Sequence, residues 1–291
     1  MSNQLKVGVV GLGLIGGSMA RAYSAAGHAV LAHDISEEAL KGALAQNAIC
    51  GKLTAETASD CDVIFLAVYP AAAMAWLRVS APHLRKGSVV IDLCGTKRGI
   101  CGACFGMARE YGFHFVGGHP MAGTQYSGFD NSKDGLFRGA PMVIVPEDPE
   151  NEALLSRVRE LLLPVGFGSI TVSSAEKHDR IIAFTSQLAH VVSNAYVKSP
   201  NAQVHKGFSA GSYKDLTRVA WLNEQMWTEL FMENSDYLTE EIDGIISALT
   251  AYRDAMAAGD ANRLKALLRE GRLAKERVDR GSEEQAGGPL R

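Results

Sequence analysis

The sequence lacks three features that would each point to a different class of protein: a long apolar run, a basic cluster and a full set of zinc ligands. Its apolar stretches are interrupted well short of the roughly 18 residues that a transmembrane helix needs. Its 29 basic and 32 acidic side chains leave a formal net charge of -3 without a basic run, so the electrostatic footprint of a nucleic-acid-binding protein is missing. We therefore expect neither a membrane nor a nucleic acid among its partners.

Cysteine is scarce, and Cys101 and Cys104 form the single CxxC pair among five cysteines. A structural zinc site needs a second pair or histidines at ligand spacing, and neither lies nearby. We expect reduced, structural cysteines and no metal. The amino-terminal stretch MSNQLKVGVV has no basic segment followed by an apolar core, so we expect no secretory signal and a cytoplasmic protein.

The first part of the chain instead alternates short apolar runs with helical patterns of alanine and leucine that end near glycine or asparagine. The runs are KVGVVGLG, HAVLAHD, CDVIFLAVYP, SVVIDLCG, FHFVGGHP and APMVIVPED. Such alternation predicts an α/β fold with a doubly wound parallel sheet of Rossmann type. Later patterns are all helical. We predict an α/β domain over residues 1–172, an all-helical domain over 173–280 and a disordered polar tail over 281–291.

A GxGxxG pattern follows the first predicted strand and opens the first predicted helix. Its glycines allow a tight turn, close approach of a pyrophosphate and close packing of helix on strand. Asp34 ends the second predicted strand, where an acidic side chain binds ribose hydroxyls and repels a 2′-phosphate, and no lysine or arginine follows before Lys41. The pattern predicts NAD as the cofactor. The predicted cofactor-binding residues are Gly11, Gly13, Leu14, Ile15, Gly16 and Asp34, with Val68, Tyr69 and Gly95 at later strand ends.

Two loops after predicted strands carry polar residues at the edge where ligands of open α/β sheets bind. One spans residues 92–98, and the other spans 117–125 around His119. An enzyme that oxidises an alcohol with a nicotinamide needs a group to take the hydroxyl proton, and a neutral histidine suits that work. We interpret His119 as this general base. The alternative is a loop histidine that only hydrogen-bonds to backbone.

Four motifs in this order resemble the prephenate/arogenate dehydrogenase family of tyrosine biosynthesis. They are GLGLIGGS at 11–18, GGHPMAGTQYSG at 117–128, TSQLAHVV at 185–192 and YKDLTRVAWLNEQMW at 213–227. The second is the most specific, because GxGxxG is shared by many dehydrogenases. The resemblance implies oxidation of the ring C4 alcohol of prephenate or arogenate with NAD(P). Loss of the ring carboxylate as CO2 then gives 4-hydroxyphenylpyruvate or tyrosine.

The resemblance also implies roles for individual residues and a homodimer formed through the helical region. His119 matches the histidine that contacts the C4 hydroxyl, and Arg218 matches an arginine that binds a substrate carboxylate. Trp227 matches a tryptophan near the substrate, although a core tryptophan on a helix explains the pattern equally well. The predicted substrate-binding residues are Thr124, Gln125, His190, Lys214, Arg218 and Trp227.

The chain departs from the family pattern at two places. Where the family often shows SHLPH, the chain has Gln187 in place of the first histidine, while His190 keeps the second. Where the family has the serine of D-x-G-S-V-K, the chain has Gly95. Thr96, one residue later, is our candidate for the missing catalytic hydroxyl.

We predict NAD-dependent oxidative decarboxylation of prephenate to 4-hydroxyphenylpyruvate. An arogenate dehydrogenase that forms tyrosine directly is the first alternative. A non-catalytic NAD-binding sensor is an alternative of another class. Hydroxyacid dehydrogenases and imine reductases also pair a Rossmann domain with helices, but they do not explain HPMAG together with DLTR.

Overall fold

The computed structural model describes residues 4–124 and 126–286, with side chains described as far as residue 280. One sheet runs through the first part of the chain in the order β3-β2-β1-β4-β5-β6-β7-β8. Its strands are β1 Lys6–Val10, β2 Ala29–His33, β3 Gly51–Lys52, β4 Val63–Leu66, β5 Val89–Asp92, β6 His114–Pro120, β7 Pro141–Pro146 and β8 Ser169–Val172.

This sheet confirms the predicted α/β class but corrects the expectation that every strand is parallel. Strands β1 to β6 all run parallel to one another, whereas β7 runs antiparallel to β6. The last strand, β8, is parallel to β7. The sequence did not predict β3, which has two residues, or β8, an edge strand whose alternate residues are exposed. Neither has the continuous apolar run of a strand buried on both faces.

Six helices are interleaved with the strands and cover both faces of the sheet. Alternate strand residues enter different cores, since Val63 and Phe65 lie in one and Ile64 and Leu66 in the other. Helix ends agree with the predicted glycine and asparagine stops at Gly27 and Asn47, both of which have positive φ. The helices are α1 Leu14–Ala25, α2 Glu37–Ala45, α3 Ala55–Ala58, α4 Pro70–Ser80, α5 Arg98–Tyr111 and α6 Glu152–Leu162.

The later part of the described chain is helical, as predicted, but it is more interrupted than the pattern suggested. Ser174 accepts a hydrogen bond from the Lys177 amide at 3.2 Å and caps the first helix. A π-helical segment, Ala183–Leu188, separates the first two helices. The helices are α7 Ala175–Ile182, α8 Ala189–Tyr196, α9 Gly211–Thr217, α10 Glu224–Glu233, α11 Ser235–Ala257 and α12 Ala261–Ala286.

The stretch from Trp221 to Met256 has a continuous helical pattern in the sequence, but it forms two helices that meet at Asn234. Asn234 has a φ of -121°, outside the helical region, and its side chain is fully buried. Its amide donates to the Asp179 carbonyl at 2.9 Å and to the Gln187 side chain at 2.8 Å. The tertiary hydrogen bonds of this one asparagine thus hold the break between α10 and α11.

The chain divides into two compact units, the first ending at Leu238 and the second beginning at Thr239. The first unit contains the sheet and α7 to α10, and α7 and α10 each share a hydrogen bond with the segment after β5. The predicted boundary near residue 172 therefore stays a prediction. In the second unit α12 continues past residue 281 to Ala286, so the predicted tail begins inside a helix, and residues 287–291 lie outside the described part.

The expectations about cysteines and about membrane-spanning segments can be compared with this fold. Cys101 and Cys104 are buried on α5 as free thiols, and burial raises the pKa of both. Among the described residues, no helix combines the length and the hydropathy needed to cross a bilayer.

Candidate active site

The carboxyl ends of β1, β2, β4, β5 and β6 lie at one edge of the sheet because these strands run in the same direction. The segments that leave this edge contain all nine predicted cofactor-binding residues. His119 lies on β6 at the same edge. Ligands of open α/β sheets bind beyond this edge, so the topology makes it the candidate site.

The glycine loop after β1 has the shape that a pyrophosphate requires. Gly11 has a φ of 90°, and a Cβ there would lie 2.5 Å from the Ala67 carbonyl oxygen. A Cβ on Gly16 would lie 1.9 Å from the Gly11 carbonyl oxygen, so this glycine lets α1 pack against the loop. At Gly13 a Cβ would meet nothing within 4 Å. The side of the loop that faces a ligand is therefore open. Leu14 and Ile15 open α1 behind it.

Asp34 and the strand ends beside the glycine loop complete this half of the edge. The Asp34 carboxylate accepts the Leu12 amide at 2.5 Å and the Ser36 amide at 2.7 Å, so it is fixed directly after β2. Val68 follows β4 and packs at the position where a Gly11 Cβ would be. Tyr69 precedes α4 and is exposed. These residues place the acidic side chain of Asp34 beside the glycine loop, which has room for phosphates.

His119 differs from its sequence interpretation in two respects. It lies inside β6, where it pairs with Val143 of β7, and does not open a loop. It is also not a lone ring, because its Nδ1 lies 2.9 Å from Nε2 of His178 on α7. Strand β7 was predicted as a strand, but its antiparallel pairing with β6, which extends the sheet past this residue, was not. The result is a half-buried ring on a rigid strand rather than on a mobile turn.

Burial and nearby charge keep both histidines neutral. Burial, His178 and Lys97 together hold the pKa of His119 well below its ordinary value. Burial also lowers the pKa of His178, although Asp179 opposes that shift. Burial tends to raise the pKa of Asp179, but hydrogen bonds from His178 and from the Arg98 and Lys97 amides hold it below its usual range. A neutral imidazole is the form that accepts a proton.

A buried ion pair joins the last residue of β5 to the segment that follows this strand. Lys97 and Asp92 are both fully buried, and their side chains form a short ion pair. Burial opposes the charge on Lys97, but Asp92 raises its pKa, so the lysine stays protonated. Asp92 also accepts the Gly118 amide at 3.2 Å, directly before the catalytic candidate. The pair thus connects the end of β5 to β6 and places a positive charge near the His119 ring.

Gly95, which replaces the family serine, and Thr96, our candidate for the missing hydroxyl, both meet α10. A Cβ on Gly95 would lie 3.1 Å from a methyl carbon of Leu230, so the glycine makes room for this leucine. The buried Thr96 hydroxyl donates a short hydrogen bond to Glu233. Burial raises the pKa of Glu233, and the bond from Thr96 opposes this shift. Thr96 is thus bonded to an acid on α10, and its catalytic role stays a proposal.

One group of predicted substrate-binding side chains assembles around α8 and α10. The rings of His190 and Trp227 have centroids 4.0 Å apart. The His190 Nδ1 lies 2.8 Å from the Ser186 carbonyl oxygen, inside the π-helical segment. Burial lowers the pKa of His190, and the nearby charge of Arg218 adds to this shift. An aromatic pair and a cation are therefore close to each other, as a ring-containing anion would require.

The remaining predicted residues fall outside this group. Thr124 is exposed, with its hydroxyl 3.3 Å from the Tyr126 amide, and Lys214 is exposed on α9. Gln125 lies outside the described residues. Gln187, which replaces a family histidine, is buried and donates to the Leu230 carbonyl at 3.0 Å. This glutamine therefore holds α10 in place.

Sequence reasoning missed three side chains of this site: His178, Asp179 and Glu233. His178 and Asp179 were visible as the pair HD in SAEKHDRII. An adjacent histidine and acid in the first turns of a helix carry no signal by themselves. Their meaning comes from the packing of α7 against the start of α5, which local patterns do not encode.

The sheet, its glycine loop and the helices that follow define a class of protein: enzymes with a Rossmann-type nucleotide-binding region and a helical region. A family profile described as "Prephenate dehydrogenase, nucleotide-binding domain" matches residues 19–171. A second, "Prephenate dehydrogenase, dimerization domain", matches residues 174–270. The chain therefore belongs to the prephenate dehydrogenase family. The glycine loop precedes the first matched range, so its shape is a separate observation.

Individual relatives agree with this family. The chain is 29% identical to the cyclohexadienyl dehydrogenase of Zymomonas mobilis over 282 residues, covering 92% of this chain and 94% of that one. It is 26% identical to the prephenate dehydrogenase of Bacillus subtilis, covering 90% of this chain and 73% of the other. The prephenate dehydrogenase of Aquifex aeolicus, solved with hydroxyphenyl propionate and NAD+, superposes with a TM-score of 0.80 at 25% identity, covering 96% and 99% of the two chains.

Proposed function

We propose that the protein oxidises prephenate with NAD and releases its ring carboxylate as CO2, forming 4-hydroxyphenylpyruvate in tyrosine biosynthesis. The observation that carries this proposal is a neutral His119 at the ligand edge of the sheet, in a chain of the prephenate dehydrogenase family. Relatives named as cyclohexadienyl and prephenate dehydrogenases support the ring class of the substrate. Arogenate, with an amino group in place of the keto group, is the alternative substrate and would give tyrosine.

The reaction needs a base for the C4 hydroxyl proton. When bound, NAD accepts the hydride that leaves C4. We assign the proton to His119, whose neutral ring takes it while the C4–O bond becomes a carbonyl. The bond to the ring carboxylate then breaks, its electron pair completes the aromatic ring, and CO2 leaves. The phenolic oxygen takes the proton back, so the products are NADH, CO2 and the hydroxyphenyl compound.

We assign substrate binding to the group around α8 and α10. Arg218 supplies a cation for a carboxylate, and a hydrogen bond to such a charged group contributes about 1.5–3 kcal/mol. His190 and Trp227 offer two adjacent, mutually tilted rings against which the substrate ring packs. Lys214, Thr124 and Gln125 stay in the proposal as further polar contacts, on the strength of the resemblance.

We assign NAD rather than NADP because of the residues at the ribose end of the glycine loop. The open space at Gly13 and the close packing at Gly16 fit a pyrophosphate at the amino terminus of α1. Asp34 is fixed directly after β2, where a 2′-phosphate would meet its negative charge. The relative from Aquifex aeolicus was solved with NAD+, which supports the same choice.

We also propose that the protein acts as a homodimer through its helical region. The second matched profile is described as a dimerization domain. The second compact unit exposes several large apolar side chains, which a single copy leaves in water at a cost in free energy. They are Ile246, Leu249, Met256 and Leu268. Light scattering of the purified chain tests this, and a monomer at micromolar concentration would contradict it.

The experiment that tests the proposed reaction measures NADH formation with prephenate and with arogenate, each with NAD and with NADP. We expect turnover with prephenate and NAD, and a lower kcat/KM for the other combinations. A higher kcat/KM with arogenate would make arogenate the substrate, while the oxidative decarboxylation would stay the proposed reaction. If calorimetry shows NAD binding while neither substrate binds or reacts, the NAD-binding sensor replaces the enzyme.

A further inference from the structure

His119 and His178 face each other with ring nitrogens rather than carbons, and this contact restricts their protonation. Nδ1 of His119 lies 2.9 Å from Nε2 of His178, and the ring planes are tilted by 57°. A hydrogen bond at this distance needs one nitrogen that carries a hydrogen and one that does not. The described residues give the His119 side chain no other hydrogen bond. The tautomer of His119 is therefore set by His178.

Asp179 determines which tautomer His178 adopts. Nδ1 of His178 lies 2.7 Å from Oδ1 of Asp179, and the same oxygen accepts the Lys97 amide at 2.7 Å. The other oxygen accepts the Arg98 amide at 2.9 Å. An ionised carboxylate accepts hydrogen bonds and donates none, so the hydrogen lies on Nδ1 of His178. The Nε2 of a neutral His178 is consequently bare and can only accept.

The same rule then applies to His119. Because Nε2 of His178 accepts, Nδ1 of His119 carries the hydrogen, and Nε2 of the neutral His119 ring is left with a free lone pair. Which nitrogen of a histidine reacts is set by the hydrogen bond that the other nitrogen makes. Lys97 lies close enough to disfavour a positive charge on either ring, and its own charge is paired with Asp92.

We propose that His178 and Asp179 are positioning residues that fix His119 in the tautomer whose Nε2 is the proton acceptor. This inference rests on the proposed function, since it specifies how the base of that reaction is prepared. When Nε2 takes a proton, the Nδ1 hydrogen of His119 is still held by His178 and, through it, by the Asp179 carboxylate. The chain of three side chains thus stabilises the protonated ring without a proton leaving it, as in other orienting partners of a catalytic histidine.

In the described structure, no hydroxyl of the loop after β5 orients the His119 ring. Gly95 has no hydroxyl, and the Thr96 hydroxyl donates to Glu233. The relay instead joins three structural elements: β6 contributes His119, α7 contributes His178 and Asp179, and the start of α5 holds Asp179 in place. Formation of the base therefore requires α7 to pack against α5.

Two substitutions of His178 separate positioning from packing. His178→Phe keeps a ring of similar size but removes both nitrogens. His178→Gln keeps the hydrogen-bonding pattern, because its amide nitrogen donates to Asp179 while its oxygen accepts from His119. We expect His178→Phe to lower kcat about a hundredfold, the lower end of what a general base contributes. We expect His178→Gln to retain most of kcat, and both variants to bind NAD as the unmodified chain does.

The direct readout is the ring-nitrogen NMR spectrum of full-length protein labelled with 15N-histidine, with the His119 signals identified by their loss in His119→Asn. We expect hydrogen on Nδ1 and a bare Nε2 in the unmodified chain and in His178→Gln, and a shift toward hydrogen on Nε2 in His178→Phe. Hydrogen on Nε2 in the unmodified chain would overturn the proposal, even if His178→Phe failed to fold.

Equal kcat in the unmodified chain and a folded, NAD-binding His178→Phe would also overturn it, as would a His178→Gln enzyme as slow as His178→Phe. The NMR result needs no substrate. A chain inactive with both prephenate and arogenate would therefore remove the proposed function and leave the tautomer assignment separately tested.

Discussion

The loop after β1 and the segment after β5 end at the same edge of one sheet, but they are held in different ways. The β1 loop is shaped by its own glycines and the adjacent strand, with Gly16 packed on Gly11. The β5 segment is held by side chains from distant helices: Asp179 binds its backbone, Leu230 fills the space at Gly95 and Glu233 bonds Thr96. A loop that is shaped locally can be read from a pattern, whereas a segment held at a distance cannot.

The sharpest way to break the locally shaped loop is Gly16→Ala. The added Cβ would lie 1.9 Å from a backbone oxygen that cannot move without displacing β1. We expect a loss of about 3 kcal/mol in the free energy of unfolding. This corresponds to a decrease in Tm of roughly 6–12 °C for a domain of this size.

Gly13→Ala is the matched control, because its Cβ enters open space. We expect its Tm to stay unchanged while its Kd for NAD rises at least about tenfold, since the methyl group occupies the phosphate side of the loop. Thermal unfolding and calorimetry measure the two effects. Equal Tm for Gly16→Ala and Gly13→Ala would mean that the loop is not shaped by close packing.

The substrate-binding group is tested by Arg218→Ala. Loss of a hydrogen bond from this cation to a carboxylate, at about 1.5–3 kcal/mol, raises the KM for prephenate roughly tenfold to a hundredfold. We expect little change in kcat, because the cation binds a group that does not take the hydroxyl proton. Arg109→Ala, an exposed arginine paired with Glu147, is the control. A KM that stays constant in Arg218→Ala would remove the carboxylate role.

The fold and the site differ in how far they could be predicted. The alternating runs predicted six of the strands, because strands buried on both faces are continuously apolar. The antiparallel pairing of β7 with β6 changed the surroundings of His119, and such pairing depends on partners distant in sequence. Asn234 interrupts a helix because its side-chain amide donates hydrogen bonds to Asp179 and Gln187. Helix propensities do not predict such tertiary hydrogen bonds.

The catalytic candidate shows the same limit in one residue. Its motif placed His119 at the ligand edge, and the structure agrees. The motif did not reveal His178, whose ring lies 2.9 Å away but whose position in the chain is 59 residues later. The partner of a base is a matter of helix packing, so it was accessible only in three dimensions.

The segment held at a distance is tested by restoring a side chain at Gly95. Gly95→Ser places a Cβ 3.1 Å from Leu230, which must move by a few tenths of an ångström. We expect Gly95→Ser to be destabilised and Leu230→Ala to relieve it, with a coupling energy of about 1 kcal/mol in a double-mutant cycle. Denaturant unfolding of the four proteins measures this. Additive effects would show that Gly95 and Leu230 do not constrain each other.

The smallest expected effect is a pH dependence of stability. The groups around His119 and His178 are Lys97, Asp92 and Asp179. Because the pKa values of both rings are lowered on folding, the unfolded chain binds more protons below about pH 6.5, the ordinary histidine value. The free energy of unfolding therefore falls as the pH decreases below that value, by at most about 1.4 kcal/mol per pH unit for each ring and by less for the partly exposed His119.

His119→Asn should reduce this slope, since one of the two rings no longer titrates. His114→Asn, which replaces an exposed histidine on the same strand, is the control variant. Denaturant titrations between about pH 7.5 and pH 5.5 make the comparison. An identical slope in His119→Asn and His114→Asn would show that the His119 ring is not kept neutral by the fold.

The central claim is that His119 takes the hydroxyl proton of the substrate, and His119→Asn tests it most directly. With NAD and prephenate both saturating, the account predicts that kcat falls at least about a hundredfold, because a general base contributes roughly 10²–10⁴ in rate. The Kd for NAD should stay unchanged, since the glycine loop is intact. A His119→Asn enzyme that turns over within a few-fold of the unmodified chain would contradict the claim.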